Sequence, residues 1–316
     1  IIQPTYLYLD DDFSTSQKII IETEDDVFGL DEQMSAMVAN KLLSIRDPKK
    51  RAKKLLRNIF ANESVNLAYK SDANLIASEA YHSQKANCMS LTIMAYALAK
   101  EAGLNVKFQD IKVPEYWVRN GKYNMLTGHV NLVLTMPVSP NKLVVYGKEL
   151  LQIDFDPAVY KKSFPKKVIS KNTVLAMFYN NKGAQFLATK NYDHAYVYLK
   201  EATLVDPQFS SAWGNLGILY KLNNFHETAI KTYEHAIALD HDNLTALSNL
   251  ALLLRDRGDF EQAGPIEKKL FKKRNSNPYF HALLADEAYF RGDNTLALSY
   301  YKKAIRMNKK VHEFYF

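Results

Sequence analysis

This chain of 316 residues has little of several residue types that define common classes of protein. It contains a single cysteine, Cys88, which excludes an internal disulfide and any zinc site built from several thiolates. Glycine makes up only 11 residues, and no glycine-rich loop suited to phosphate binding is present. The histidines show no metal-ligand spacing, and no apolar run approaches the roughly 18 residues of a membrane-spanning helix. We therefore expect no metal, no cofactor and no transmembrane segment.

What is present is typical of globular protein. Hydrophobic residues form 47% and charged residues 24% of the chain, and this length is usual for two domains. The net charge of +7 is spread along the chain, with the densest basic runs at 49–57 and 161–171. These runs are not interleaved with aromatic residues, so nucleic-acid binding is not expected.

The first half of the chain changes its periodicity from helical to strand-like near Gly103. Capping residues and apolar spacing predict helices over 31–45, 47–61, 73–83 and 88–102. Short runs rich in β-branched and aromatic residues predict strands at 106–111, 116–119, 129–136, 143–146 and 150–155. Helices followed by an antiparallel sheet predict an α+β domain over residues 1–160, with a lysine-rich linker at 161–175.

Three residues in this domain suit thiol chemistry. Cys88 begins an apolar helix, His129 opens a strand 41 positions later, and Asp154 closes another strand 25 positions after that. A helix N-terminus stabilises a thiolate, an imidazole can take its proton, and a carboxylate can orient the imidazole. The backbone N–H of Cys88 and the side chains of Gln84 and Asn87 are candidates to hold an oxyanion.

Each of these residues also has a plain structural interpretation. A lone free cysteine is commonly a small apolar residue packed beneath a helix start. His129 then lies in the core or at the surface, and Asp154 and Asp156 cap the turn at Pro157.

Three short segments resemble the transglutaminase-like superfamily, which has a papain-like fold. They are NCMSL at 87–91, GHVN at 128–131 and IDFDP at 153–157. The resemblance covers roughly residues 70–160 and implies that Cys88 is the nucleophile, His129 the base and Asp154 the orienting residue. Asp156 is the alternative orienter, since it lies on the same face of the strand. Asn131 stands where catalytic members carry an aromatic residue, which favours a non-catalytic domain.

The second half repeats every 34 residues. Ala195, Ala229, Ala263 and Ala297 share this spacing, and large residues recur between such small ones. The tetratricopeptide (TPR) pattern is filled best by Trp213, Leu216, Gly217, Tyr220, Ala229, Tyr233 and Ala236. Four repeats fit, at 176–209, 210–243, 244–277 and 278–311, followed by a C-terminal tail. They predict an all-α TPR solenoid over 176–316.

Such a solenoid has a concave groove that usually receives an extended peptide or a partner helix. Asn181, Asn215 and Asn249 occupy one repeat position, and Lys221 lies near them in the pattern. These four residues are candidates to bind a protein or peptide partner. The alternative is that they are solvated polar positions without a ligand.

The combination of the two halves resembles a group of exported, often lipid-anchored bacterial proteins. The resemblance rests on segments 87–92 and 179–183 and on the ending at 312–314. It implies a location in the bacterial envelope or periplasm, and the cytoplasm is the alternative. The chain begins at Ile1 and not at Met, so we expect an upstream leader or membrane anchor.

Two functions are compatible with these residues. In the first, a Cys-His-Asp site performs thiol acyl transfer, either peptide or amide hydrolysis or transamidation, on a protein bound by the repeats. In the second, the chain is a non-catalytic scaffold that mediates protein–protein interaction in the envelope. A weaker third hypothesis has the basic faces bind cell-wall polymer.

Overall fold

The chain folds as two compact units. The computed structural model describes residues 4–60, 68–69, 73–83, 85–113, 115, 117–120, 123–126, 128–136, 149–155 and 164–315. The first unit comprises residues 1–113 and 128–212, and the second comprises 114–127 and 213–316. The segment 114–127, which joins two strands of the first unit, is therefore part of the second.

The first unit combines short helices with a small antiparallel sheet. Its first five helices are α1 (Glu24–Phe28), α2 (Glu32–Lys41), α3 (Pro48–Phe60), α4 (Ala77–His82) and α5 (Cys88–Glu101). Its strands are β1 (Ala68–Tyr69), β2 (Lys85–Ala86), β3 (Val106–Ile111), β6 (His129–Met136), β7 (Glu149–Ile153) and β8 (Lys166–Ile169). The four longer strands form an antiparallel sheet in the order β7-β6-β3-β8. The predicted α+β organisation is confirmed at this level.

Helix α5 is the centre of the first unit. Ten of its residues are buried, and its exposed residues, Lys100 and Glu101, lie in the last turn. A helix that is apolar on nearly every face must be covered on nearly every face. Strands β3 and β6 and helices α2 and α3 contribute to the same apolar core.

Local signals set both ends of α5. The Asn87 side chain accepts a hydrogen bond from the backbone N–H of Ser90, which satisfies a donor that the first turn leaves unpaired. Gly103 has φ of +67°, a left-handed conformation that ends helices and that glycine adopts without a Cβ penalty. The Arg51 guanidinium donates to the carbonyl of Ala102 and binds one of the last free acceptors.

The stretch 161–175 contains regular structure in its described part. Strand β8 pairs with the second edge of β3, with Phe108 opposite Ile169. The first TPR helix then begins at Lys171. Pairing β8 with β3 gives partners to backbone groups that a linker would leave at an open sheet edge. The predicted strand at 143–146 lies outside the described residues.

The repeats form four pairs of helices. The pairs are α6 (Lys171–Ala188) with α7 (Tyr192–Val205), α8 (Ser210–Leu222) with α9 (His226–Leu239), α10 (Leu244–Asp256) with α11 (Phe260–Arg274), and α12 (Pro278–Phe290) with α13 (Asn294–Met307). The predicted TPR region is confirmed. The first pair belongs to the first unit, and the N-terminal segment binds it: Glu22 accepts hydrogen bonds from the hydroxyls of Tyr179 and Tyr198.

Small residues allow the helices of a pair to approach closely. A Cβ placed on Gly217 of α8 would lie 2.6 Å from the ring of Tyr233 on α9. A Cβ on Gly183 of α6 would lie 2.6 Å from Leu199 of α7. Tyr233 and Leu199 are fully buried, so neither has room to move aside.

The second unit contains a partly buried ion pair that fixes its inserted segment. The Arg274 guanidinium, whose side chain is 4% exposed, donates through Nε (2.7 Å) and Nη2 (2.9 Å) to the Glu115 carboxylate. The side chain of Asn277 donates to the Glu115 carbonyl at 2.6 Å. The same segment carries a two-stranded hairpin of β4 (Trp117–Asn120) and β5 (Tyr123–Leu126).

Two glycines on α8 provide a matched test of this packing. We expect Gly217→Ala to lower the free energy of unfolding by about 1–2 kcal/mol, because the clash with Tyr233 exceeds the gain in helix propensity. Gly214→Ala should raise it by about 0.5–1 kcal/mol, because its Cβ meets only ordinary contacts at 3.6–3.8 Å. Urea unfolding followed by tryptophan fluorescence measures both. Equal effects of the two variants would contradict close approach at Gly217.

Candidate functional site

The thiol lies where the sequence predicts, at the start of a helix. Cys88 is the first residue of α5 and is partly exposed. Ser90 fixes this helix start: its hydroxyl donates to the carbonyl of Ala73 at 3.0 Å and accepts from the backbone N–H of Leu75 at 2.8 Å. The sulfur is therefore held in a defined place next to the positive end of the helix dipole.

A buried threonine ties this helix to the strand that carries His129. The Thr92 hydroxyl lies 2.7 Å from the carbonyl oxygen of Cys88 and 3.2 Å from that of Val130. Val130 directly follows His129 in β6. The contact holds the first turn of α5 against the first residues of that strand.

His129 and Asp154 form a buried pair. The distance between His129 Nε2 and Asp154 Oδ1 is 2.8 Å, and the two side chains are 3% and 0% exposed. In the antiparallel register, Leu132 of β6 faces Ile153 of β7, so one further step brings Asp154 beside Asn131. The strand pairing therefore brings the carboxylate to the same end of β6 as the imidazole.

The imidazole also interacts with the sulfur. Burial by itself lowers the pKa of His129, but hydrogen bonds to Asp154 and Cys88 and the charges of both groups outweigh it and raise that pKa to about 10. Because Asp154 binds Nε2, the nitrogen left for Cys88 is Nδ1. The structure thus brings all three predicted residues together in the order Cys88, His129, Asp154.

Two amides that sequence analysis did not assign to the site complete it. Asn131 donates through Nδ2 to Asp154 Oδ2 at 2.7 Å, and Gln152 donates to the same oxygen at 3.3 Å. Lys166 of β8 in turn donates to the side-chain oxygen of Gln152. The available signal was a polar residue, Asn131, within the apolar run of β6.

The other candidates have mixed outcomes. Gln84 and Asp156 lie outside the described residues, so both remain predictions. The side-chain oxygen of Asn87 is engaged in capping α5, where it accepts from the backbone N–H of Ser90 and lies 2.9 Å from the Ser90 hydroxyl oxygen.

The predicted groove residues lie on the first helices of their repeats. Asn181 is on α6 in the first unit; Asn215 and Lys221 are on α8, and Asn249 is on α10, in the second. All four are half-buried. Asn249 donates to the carbonyl of Thr245 within its own helix at 3.0 Å. Burial lowers the pKa of Lys221, and the charge of Asp256 opposes this effect.

Comparison with known proteins supports the repeat half. The family model described as tetratricopeptide repeat matches residues 210–243, which are the second repeat predicted from sequence. This match covers helices α8 and α9.

Two curated relatives match part of the chain. It is 28% identical to Superkiller protein 3 of Schizosaccharomyces pombe over 109 residues, which are 34% of this chain and 8% of that protein. It is 31% identical to the uncharacterized protein ycf37 of Cyanophora paradoxa over 96 residues, which are 29% of this chain and 56% of that protein. The chain therefore spans well under two thirds of either relative.

Among solved structures, the chain is similar to pilF of Pseudomonas aeruginosa, with 20% identity and a TM-score of 0.36 over 46% of this chain and 66% of that one. None of these comparisons supports a transglutaminase-like domain. The family model supports a tetratricopeptide repeat at 210–243.

The geometry at Cys88 makes a testable prediction of thiol reactivity. An imidazolium held by a buried carboxylate next to a sulfur stabilises the thiolate. We expect iodoacetamide to alkylate Cys88 about tenfold faster at pH 6.5 in the parent chain than in His129→Ala, because an ordinary thiol of pKa about 8.5 is mostly protonated there. Rates are measured by mass spectrometry on the single cysteine. Equally slow alkylation of both proteins would mean that the contact does not activate the sulfur.

Proposed function

We propose that this chain is a protein-binding TPR protein whose repeats hold an extended peptide segment of a partner. The observation that carries the proposal is the tetratricopeptide repeat at 210–243, whose helices pack through Gly217 as paired repeat helices do. Repeats of this kind bury a continuous core and leave a surface that is used mainly for binding. This proposal is the scaffold function, which the sequence leaves open beside thiol acyl transfer.

Residues of the second unit indicate the chemistry of the partner. Lys221 is a half-buried cation, and the amide of Asn249 stands one repeat further on. A cation that is already partly desolvated loses little more solvation when it pairs with a carboxylate. We therefore propose that the bound segment carries an acidic side chain or a C-terminal carboxylate near Lys221.

A peptide selected by phage display against the intact chain tests this proposal. We expect Lys221→Ala to weaken binding of the selected peptide about tenfold, as for a central interface residue. The matched control is Lys231→Ala, which removes an exposed lysine from the second helix of the same repeat. Isothermal titration calorimetry gives each Kd. Equal Kd values for parent, variant and control would place the binding face elsewhere and contradict the proposal.

A second function is favoured by one observation in the first unit. His129 contacts both Cys88 and a buried Asp154, which is the arrangement that thiol acyl transfer requires. Together with the resemblance of segments 87–91, 128–131 and 153–157 to the transglutaminase-like superfamily, it supports a thiol acyl-transfer site.

The proposed reaction has two steps. The Cys88 thiolate attacks a carbonyl carbon, the tetrahedral intermediate collapses to a thioester, and the leaving amine departs with the proton of the His129 imidazolium. Water or a second amine then attacks the thioester while the neutral His129 accepts its proton. The acyl group is then bonded to the oxygen of water or to the nitrogen of the second amine. The sulfur of Cys88 departs as a thiolate, which restores the thiolate–imidazolium pair. Asp154 keeps the imidazole oriented throughout.

An activated ester tests this chemistry without knowledge of the substrate. We expect p-nitrophenyl acetate to release one equivalent of nitrophenolate rapidly from the parent chain, with one acetyl group found on Cys88 by mass spectrometry. Cys88→Ala should lose the burst entirely, and His129→Ala should slow it by about 10²-fold or more. A burst that persists in Cys88→Ala, or the absence of a burst in the parent chain, would rule out acyl transfer at Cys88. The scaffold would then be the remaining proposed function.

The location of the protein remains a prediction. Among the residues that the structure describes, no helix is both long and apolar enough to cross a bilayer. The bacterial envelope location implied by the sequence resemblance is retained as part of the proposal, and fractionation of cells that express the full gene product tests it.

A further inference from the structure

We propose that Asn131 is a positioning residue of the thiol site: its side-chain amide holds the Asp154 carboxylate in the orientation that binds His129. The inference rests on the second proposed function, because it assigns a residue to the same Cys88 site. It concerns a residue that stands where the transglutaminase-like pattern has an aromatic side chain.

Burying an amide side chain at position 131 costs free energy. The residue is fully buried in the middle of β6, between Val130 and Leu132, which are 6% and 0% exposed. Its Oδ1 has no hydrogen-bond partner among the residues that the structure describes. A buried polar atom without a partner costs about 1–3 kcal/mol, and an apolar residue in this strand would avoid that cost. Within the described part of the chain, the side chain makes a hydrogen bond to Asp154, and that bond accounts for its presence.

That hydrogen bond goes to the carboxylate. Asn131 Nδ2 lies 2.7 Å from Asp154 Oδ2, while Oδ1 of the same carboxylate lies 2.8 Å from His129 Nε2. His129 and Asn131 are two positions apart on one strand, so their side chains leave the same face of the sheet. His129 and Asn131 therefore each donate a hydrogen bond to a different oxygen of the Asp154 carboxylate.

These two hydrogen bonds restrict rotation of the carboxylate. With Asn131 in place, turning the group about its Cβ–Cγ bond breaks a charge-assisted hydrogen bond at both oxygens. Gln152 also donates to Oδ2 of Asp154, but at the longer distance of 3.3 Å. The exposed Lys166 donates a hydrogen bond to the side-chain oxygen of Gln152. The short contact from the fully buried Asn131 is the stronger constraint. Without the Asn131 hydrogen bond, the Asp154 carboxylate can turn away from His129 Nε2. The imidazolium of His129 then loses the negative charge that stabilises it.

The test compares Asn131→Leu, which keeps the volume but removes the donor, with Val133→Ala. Val133 lies on the same face of β6, opposite Gln152, so its truncation disturbs the packing of that face and removes no donor from the carboxylate. NMR of imidazole-labelled protein follows the titration of His129, assigned by its loss in His129→Gln. We expect the midpoint of His129 to fall by about one pH unit or more in Asn131→Leu and to move little in Val133→Ala. Asn131→Val replaces the leucine variant if that variant does not fold.

Alkylation of Cys88 in the same proteins separates this inference from the function on which it rests. A fall in the His129 midpoint of Asn131→Leu, together with parent alkylation at pH 6.5 that is lost in His129→Ala, supports both. An unchanged midpoint in Asn131→Leu, or an equal fall in Val133→Ala, overturns the positioning role even where the parent thiol is fast. A selective fall with an unreactive parent thiol upholds the role of Asn131 and removes acyl transfer.

Discussion

The first unit depends on the burial of helix α5. Its residues are apolar around most of its circumference, so it is stable only where other elements surround it. The sheet and the short helices of this unit form one core with it. The same burial places the start of α5 against the start of β6, where the Thr92 hydroxyl lies within hydrogen-bond distance of a carbonyl on each element. The meeting of Cys88 and His129 is therefore a consequence of how the core packs.

A buried carboxylate imposes the second constraint. Asp154 has no exposed side-chain surface, so its negative charge requires donors from the protein itself. His129, Asn131 and Gln152 supply them, while the amide oxygen of Asn131 finds no partner within the described ranges. The proposed chemistry at Cys88 would account for a network that tolerates this cost in order to hold one carboxylate against one imidazole.

The repeat half follows a different rule, in which small residues set the distance between helices. Gly217 admits the ring of Tyr233, and Gly183 admits Leu199, at separations that no side chain on the glycine would permit. The first helical pair belongs to the unit that contains the thiol, and the other pairs belong to the second unit. The two proposed functions thus rest on different residues and can succeed or fail separately. The comparisons support the repeats, and the geometry at His129 supports the thiol site.

The sequence by itself located helix α5, the helical repeats and the residues of the candidate thiol site. Periodicity and capping located α5 and the 34-residue repeat, because burial and helix ends leave local patterns. The order of Cys88, His129 and Asp154 along the chain is the sequence feature behind the proposed thiol chemistry. Only the tertiary structure decided that Asn131 belongs with them and that 166–169 joins the sheet. Both depend on which strand pairs with which and in what register, and contacts between residues far apart in sequence leave no local pattern to read.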